Sequence, residues 1–215
     1  MRTAILGFPQ SGKTALFKAL CGPQVHAEAY GAHVGVARVP DARLDALTRI
    51  YQPKKTSTVA LEFVDAPAVL NEPEKDAGVF GQVRGADAFA HVVRVFGDGV
   101  NPARDLEQLE TEFLVVDLDT VAKRMEKVAR DLKKSKTPEM EHEHAILEKA
   151  RTLLAANTPL RAATLSAEEQ RALHGFMLLS AKPLLVVLNV GDDDAPTLEE
   201  IPHRYKLDAF RGQPG

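Results

Sequence analysis

Gly7-Phe8-Pro9-Gln10-Ser11-Gly12-Lys13-Thr14 stands between two runs of different character, and its reading decides the fold. Before it, Arg2-Thr3-Ala4-Ile5-Leu6 is short and apolar enough for a buried strand. After it, Ala15 to Leu20 has helical spacing and good helix formers. The order is strand, glycine-bearing turn, helix, and the turn fits G-x-x-x-x-G-K-[ST] at every specified position. A polyphosphate asks for this order. Its charges are met without water by converging backbone N–H groups, here those of Gln10, Ser11, Gly12, Lys13, Thr14 and Ala15. Gly7 and Gly12 permit a close approach that a Cβ would obstruct. Lys13 brings a point charge to the β- and γ-phosphates and is the candidate catalytic residue. The Thr14 hydroxyl can ligate Mg²⁺, and the helix N-terminus adds partial positive charge behind the anion. An accidental match in an ordinary strand–helix turn is the competing reading. The fit of both flanks favours a site for a nucleoside triphosphate, or the relic of one.

At 215 residues the chain can bury one sizeable core, or one domain with an insertion. A net charge of −3 gives no global attraction to nucleic acid or an acidic membrane, so any such contact needs a local patch. A single cysteine, Cys21, excludes an internal disulfide framework and points to a reducing compartment. At the end of the first helix it reads as a small buried hydrophobe. A strand beginning beside Met1 leaves no room for a signal peptide, and no apolar run reaches membrane-span length. The expectation is a cytoplasmic protein.

Farther along, strands and helices alternate. A loop follows Gly22-Pro23 to about His33, and Val34 to Pro40 reads as a strand. Asp41 is placed to cap a helix with Leu44, Leu47 and Tyr51 on one face. Thr58 to Asp65 is a strand with an acid at its carboxyl end, Gly78 to Arg84 a short helix, and Ala88 to Phe96 a buried strand. Asn101-Pro102 opens another helix with a capping side chain and a proline at the first position. This alternation predicts a mostly parallel, three-layer α/β sheet. Then Leu118, Val121, Met125, Val128 and Leu132 recur at spacings of 3 and 4, a heptad seam. A polar break at Lys133–Pro138 precedes a second helical run, Glu139 to Ala156, and Ser166-Ala167-Glu168-Glu169 is a capping box. The sheet resumes at Pro183 to Asn189. An antiparallel α-helical coiled-coil hairpin is therefore expected at residues 114–181, inserted in a domain of residues 1–113 and 182–215. The polar tail from Asp192 shows no strand, although a sheet of this type normally has one after Asn189. The chain reads as either a fragment or a short version.

The loop at 7–14 and Val39-Pro40-Asp41-Ala42-Arg43-Leu44-Asp45 resemble the YchF branch of the Obg-like P-loop NTPases. So do Phe63-Val64-Asp65, His91-Val92-Val93-Arg94, Asp117 to Val121, Ala181-Lys182-Pro183 and Asn189. The likeness spans about residues 1 to 192, including the position of the helical insertion. It implies a P-loop NTPase fold resembling a G domain, ATP or GTP as ligand, and association with ribosomes. Such proteins usually add a C-terminal TGS domain, which this sequence lacks.

Three departures bear on mechanism. The family's first switch supplies a Thr to Mg²⁺, yet here that segment is only Ala29 to His33, and no Ser or Thr lies between Thr14 and Thr48. The D-x-x-G run reads Asp65-Ala66-Pro67-Ala68: Asp65 can still hold Mg²⁺ through water, while Ala68 and Pro67 reduce hinge freedom. Val69 follows, where Ras-like enzymes place a water-orienting Gln; a hydrophobic residue there is also typical of the YchF-like group. Asp65 also has a plain reading, as a turn-forming acid. Asn189-Val190-Gly191-Asp192 occupies the base-recognition position. Asp192 argues for guanine and the missing Lys for adenine, so base preference stays open, beside the plain reading of a turn.

Two weaker signals remain. Lys123, Arg124, Lys127, Arg130, Lys133, Lys134 and Lys136 stand against Glu126 and Asp131, a local surplus of five positive charges. That face could meet ribosomal RNA phosphates, or could be simply solvated. Glu139-x-x-His142 and Glu141-x-x-His144 have a di-iron spacing but point to different faces. Two functions follow: slow Mg²⁺-dependent triphosphate hydrolysis near the ribosome, or a nucleotide-binding module that no longer hydrolyses and acts through its helices.

Overall fold

The computed structural model describes residues 1–22, 26–27, 32–70 and 72–191. Its strands are β1 (Arg2–Leu6), β2 (His26–Ala27), β3 (His33–Arg38), β4 (Ala60–Asp65), β5 (Ala88–Arg94) and β6 (Leu184–Asn189). They form one six-stranded sheet in the order β2-β3-β4-β1-β5-β6. The four strands from β4 to β6 run parallel, and β3 and β2 add an antiparallel flank. The helices are α1 (Lys13–Cys21), α2 (Ala42–Tyr51), α3 (Pro73–Val83), α4 (Pro102–Lys134), α5 (Pro138–Ala155) and α6 (Ala167–His174).

Strand side chains alternate between faces, and this alternation makes the three layers. Ile5, Ala90 and Val92 meet Phe17 of α1 on one face. Ala4, Leu6, Val64 and Phe89 meet Val79 and Phe80 of α3 and Leu109 and Phe113 of α4 on the other. Phe113 anchors this side, with ring centroids 5.6 Å from Phe80 and 5.2 Å from Phe89. Register pairs Ile5 with Asp65, Leu6 with His91 and Arg94 with Asn189. The carboxyl ends of four strands therefore open on one edge, where α/β sheets bind ligands.

Several boundaries differ from the sequence reading. A two-residue strand, β2, falls within the expected loop. The helix expected from Gly78 starts at Pro73. Glycines at 78 and 81 masked its first turn, which the buried Asp76 secures by accepting the Leu70 and Glu72 amides at 2.8 and 2.9 Å. Asp41 does cap α2, but the apolar face expected on that helix is left open: Leu47 is 50% exposed and Tyr51 75%. Cys21 is half-buried against the Phe17 cluster rather than sealed.

The helix begun at Asn101-Pro102 continues without a break to Lys134, through the position where the insertion was expected to start. Beyond the sheet, α4 and α5 close on Val121, Met125, Val128, Ile146, Leu147, Ala150 and Leu154, with Leu118 and Leu132 at the margin. Ser166 and Glu169 form the full capping box of α6. Asp117, within the run that resembles the family, ties this helical part to the sheet. Its oxygens accept the Leu179 and Ser180 amides at 2.8 and 2.7 Å, just before β6. Burial pushes its carboxyl above the usual range, against the pull of those hydrogen bonds. Asp117→Ala strands two buried amides, so an unfolding loss of about 2–4 kcal/mol is expected. Asp117→Asn keeps one acceptor and loses less. An unmoved urea midpoint for the alanine variant would remove Asp117 as the tie.

Candidate nucleotide-binding site

The loop between β1 and α1 is shaped by two contacts that tolerate no side chain. A Cβ on Gly7, at φ +147°, would lie 2.5 Å from the Val92 carbonyl oxygen. One on Gly12, at φ +98°, would lie 2.2 Å from Asn189 Nδ2. Gln10 also takes a left-handed conformation, with φ 60°. Residues of alternating hand are the backbone pattern of an anion nest, although the Ser11 amide here donates to the Phe8 carbonyl at 3.3 Å. Gly12 is the N-cap of α1 and no side chain caps that end. The amides of Lys13, Thr14 and Ala15 therefore lie at the positive end of the helix dipole.

Three side chains complete the cradle. Thr14 Oγ1 donates to Asp65 Oδ2 at 2.8 Å, joining the start of α1 to the end of β4. Asp65 is 4% exposed and its Oδ1 is buried without a partner. One hydroxyl and one carboxylate are hard oxygen donors. Mg²⁺ takes such donors one or two at a time and fills its remaining positions with water and phosphate oxygens. A donor pair of this kind suits Mg²⁺ carried with a nucleotide, whose phosphates would supply further oxygens. The Lys13 ammonium is buried and donates to the Phe8 carbonyl at 3.0 Å. Burial holds it below the ordinary lysine range, and the Asp65 carboxylate partly offsets that.

At the far end, Asn189 Nδ2 donates to the Ser11 carbonyl at 2.9 Å, which places the predicted base-site residue directly behind the loop. Val190 follows β6, half-buried, while Asp192 lies outside the described residues. Residues 29–31 of the shortened switch segment also lie outside them; Ala32 is buried and His33 begins β3. After Asp65, the Val69 amide donates to the Gly7 carbonyl at 3.2 Å and the Val69 side chain is fully buried. Ala68 is not among the residues of positive φ, so its Cβ carries no backbone strain.

In the sequence His91 belongs only to a run that resembles the family, yet it stands against this loop. It is fully buried, neither ring nitrogen has a partner among the described residues, and its ring meets Phe8 edge-on at 6.3 Å. The available signal was one titratable residue in an otherwise apolar buried strand. Burial and then the Lys13 charge push its pKa down to about 3.

The predicted basic face is thinner than its sequence. Lys123 pairs with Asp119 at 2.6 Å, and Arg124 makes two hydrogen bonds to Glu143 at 2.6 and 2.9 Å. Lys127, Arg130, Lys133 and Lys134 are exposed, with no ion pair to a described residue. His142, from one Glu-x-x-His pair, lies 3.1 Å from Glu168. No helix among the described residues is long and apolar enough to cross a membrane.

The family model described as 50S ribosome-binding GTPase matches residues 2–136, a span that holds the loop, Thr14 and Asp65. The chain belongs to that family. Within it, the chain is similar to the ribosome-binding ATPase YchF of Bacillus subtilis, at 32% identity over 211 residues, 90% of this chain and 57% of that protein. It is 33% identical to the Escherichia coli O157:H7 counterpart over 220 residues, 93% of this chain and 60% of that one. Among solved structures, the YchF GTPase of Schizosaccharomyces pombe aligns with a TM-score of 0.76 at 26% identity, covering 95% of this chain and 62% of its own. The YchF-related chain thus spans about three fifths of the length of these relatives.

The pH behaviour of the site follows from His91. The folded chain refuses a proton that the unfolded chain takes up below about 6.5. The His91 contribution is therefore complete above pH 6.5 and is lost as pH falls toward 3. His91→Leu should flatten that part of the melting profile, the variant gaining on wild type at each step from pH 7 to pH 4. Parallel profiles would contradict the burial of a neutral imidazole at this site.

Proposed function

We propose that the chain binds ATP or GTP with Mg²⁺ and hydrolyses the triphosphate slowly, in association with the ribosome. The observation that carries this reading is the Thr14–Asp65 hydrogen bond of 2.8 Å beside a buried, singly bonded Lys13. In it, the amides of residues 10–15 and the Lys13 ammonium hold the phosphates. Thr14 and Asp65 hold Mg²⁺, which supplies neutralisation of the β- and γ-oxygens. Lys13 shifts from the Phe8 carbonyl to the phosphates, gaining the anion that burial denies it. Val69, sealed in the core, offers no group to orient water, and His91 is closed to solvent. Rate enhancement then rests on charge stabilisation by the loop and metal, without a general base. Asn189, Val190 and Asp192 face the base in this reading, with ATP and GTP both admitted.

A second reading is a nucleotide-binding module that neither switches nor hydrolyses. The fixed course of the chain after Asp65, held by the Gly7 carbonyl and the Asp76 carboxylate, supports it. Single-turnover hydrolysis separates the two. With Mg²⁺ and either nucleotide, Lys13→Ala should slow cleavage by roughly 100-fold or more. A wild type no faster than this variant would leave only the second reading.

For the partner, the same reading divides the chain into an NTPase domain of residues 1–113 and 182–215 and a helical insertion of 114–181, and gives the contact to the insertion. The YchF relatives are named for ribosome binding. The four exposed cations Lys127, Arg130, Lys133 and Lys134 sit where Lys123 and Arg124 are already paired. Neutralising those four should reduce the slope of log affinity against log salt by about 3 in ribosome cosedimentation. A slope unchanged by the substitutions would remove this face from the contact.

A further inference from the structure

Behind the loop lies a cavity of about 230 Å³ that the cradle does not use. Phe8, Pro9 and Ser11 form one wall, the first turn of α4 at Asn101, Arg104 and Asp105 forms another, and Arg94 reaches in from the end of β5. Lys13, Thr14 and Asp65 do not line it. It shares a wall with the cradle but not its donors.

Its donors are unspent. Arg94 is half-buried, and its guanidinium makes no hydrogen bond or ion pair with a described residue; it only stacks 5.8 Å from the Phe96 ring. A partly desolvated cation without an anion is costly. Arg104 faces only Asp105, at a loose 3.7 Å. Ser11 is 3% exposed, and its hydroxyl has no partner among the described residues. Two guanidiniums and a hydroxyl against one carboxylate suit a small tetrahedral oxyanion, since guanidinium forks match its paired oxygens. Asp105 refines the choice. An ionised carboxylate only accepts hydrogen bonds, so it welcomes an anion that keeps a proton and repels one that has none. Monohydrogen phosphate keeps one at neutral pH, and sulfate does not.

We propose that this cavity is a second oxyanion site, selective for orthophosphate over sulfate, and that it receives the phosphate leaving the neighbouring loop. The source of the phosphate rests on the hydrolysis proposed above; the binding itself does not. Titration of the full chain with orthophosphate and with sulfate, followed calorimetrically, tests the site. Orthophosphate uptake should survive Lys13→Ala and fall by roughly tenfold or more in Arg94→Gln and in Arg104→Gln, with wild type taking sulfate more weakly. Arg94→Lys, which keeps the charge, should recover part of the loss, and melting curves establish that each variant is folded. Uptake abolished by Lys13→Ala but kept in Arg94→Gln would put the anion in the cradle and overturn the proposal. So would absence of uptake by wild type, or equal affinity for sulfate.

A single turnover with a fluorescent phosphate sensor tests the source. Wild type should release phosphate after cleavage, with the lag shortened in Arg94→Gln. Release simultaneous with cleavage in wild type would overturn the assignment of the leaving phosphate to this cavity. Failure of wild type to bind nucleotide, with orthophosphate uptake intact, would strike the reading of the cradle and leave the second site supported.

Discussion

The hydrogen bond from Asn189 to the Ser11 carbonyl, made across a gap that only glycine at position 12 leaves open, sets the shape of the phosphate loop. It joins residues 178 apart in sequence, the first turn of the chain and the last strand of the sheet. The loop therefore cannot take its form from local sequence alone. β6 must first be seated beside β5, and everything between them is helical. Two buried ties do that seating. Asp117 receives the amides of Leu179 and Ser180 just ahead of β6. Lys182 then donates to the carbonyls of Arg84 and Ala86, just past the end of α3. The helices between β5 and β6 and the cradle are thereby one folding problem, and damage at Asp117 should reach the loop some distance away.

The cradle holds charge in an environment that resists it. Lys13 in the loop, and Asp65 and His91 against it, are all buried. A buried cation and a buried carboxylate offset one another, as the opposing influences on Lys13 show. A third charge would break the balance, and desolvation together with Lys13 keeps His91 neutral. The imidazole thus fills space behind Phe8 as a polar body without charge. A positive charge there would be repelled by Lys13 across the same loop.

Much of this was legible in the sequence because the decisive residues are conformational. Gly7, Gly12, Lys13 and Thr14 are needed at fixed offsets, and the offsets survive folding unchanged. The heptad seam and the caps at Asp41, Asn101 and Ser166 were equally readable, being set by neighbours three or four residues away. What could not be read depends on contacts across the chain. The first turn of α3 is secured by a buried acid, Asp76, whose partners precede it in a segment with no periodicity. The basic run on α4 looked stronger than it is, because the pairing of Arg124 with Glu143 depends on α5 folding back beside it. His91 carried a signal, one ionisable residue in an apolar strand, but nothing in the sequence said that it would meet Phe8 and Lys13.

The segment after Asp65 links these themes to function. In a switching enzyme the order of such a segment is set by the γ-phosphate, so triphosphate and diphosphate states differ in shape. Here four amides of the segment already have protein acceptors: Ala66 on Ile5, Val69 on Gly7, and Leu70 and Glu72 on Asp76. A ligand shifts an equilibrium only by its differential affinity for the two states. If the ordered state is secured before the nucleotide arrives, little difference is left for the γ-phosphate to exploit. Ala68 and Pro67 act in the same direction, since both narrow the backbone choices that a released loop would need. The cradle and the mechanics of switching are thus separable in this architecture: the first is shaped by Gly7, Gly12, Lys13, Thr14 and Asp65, the second depends on a segment whose freedom the sequence has reduced.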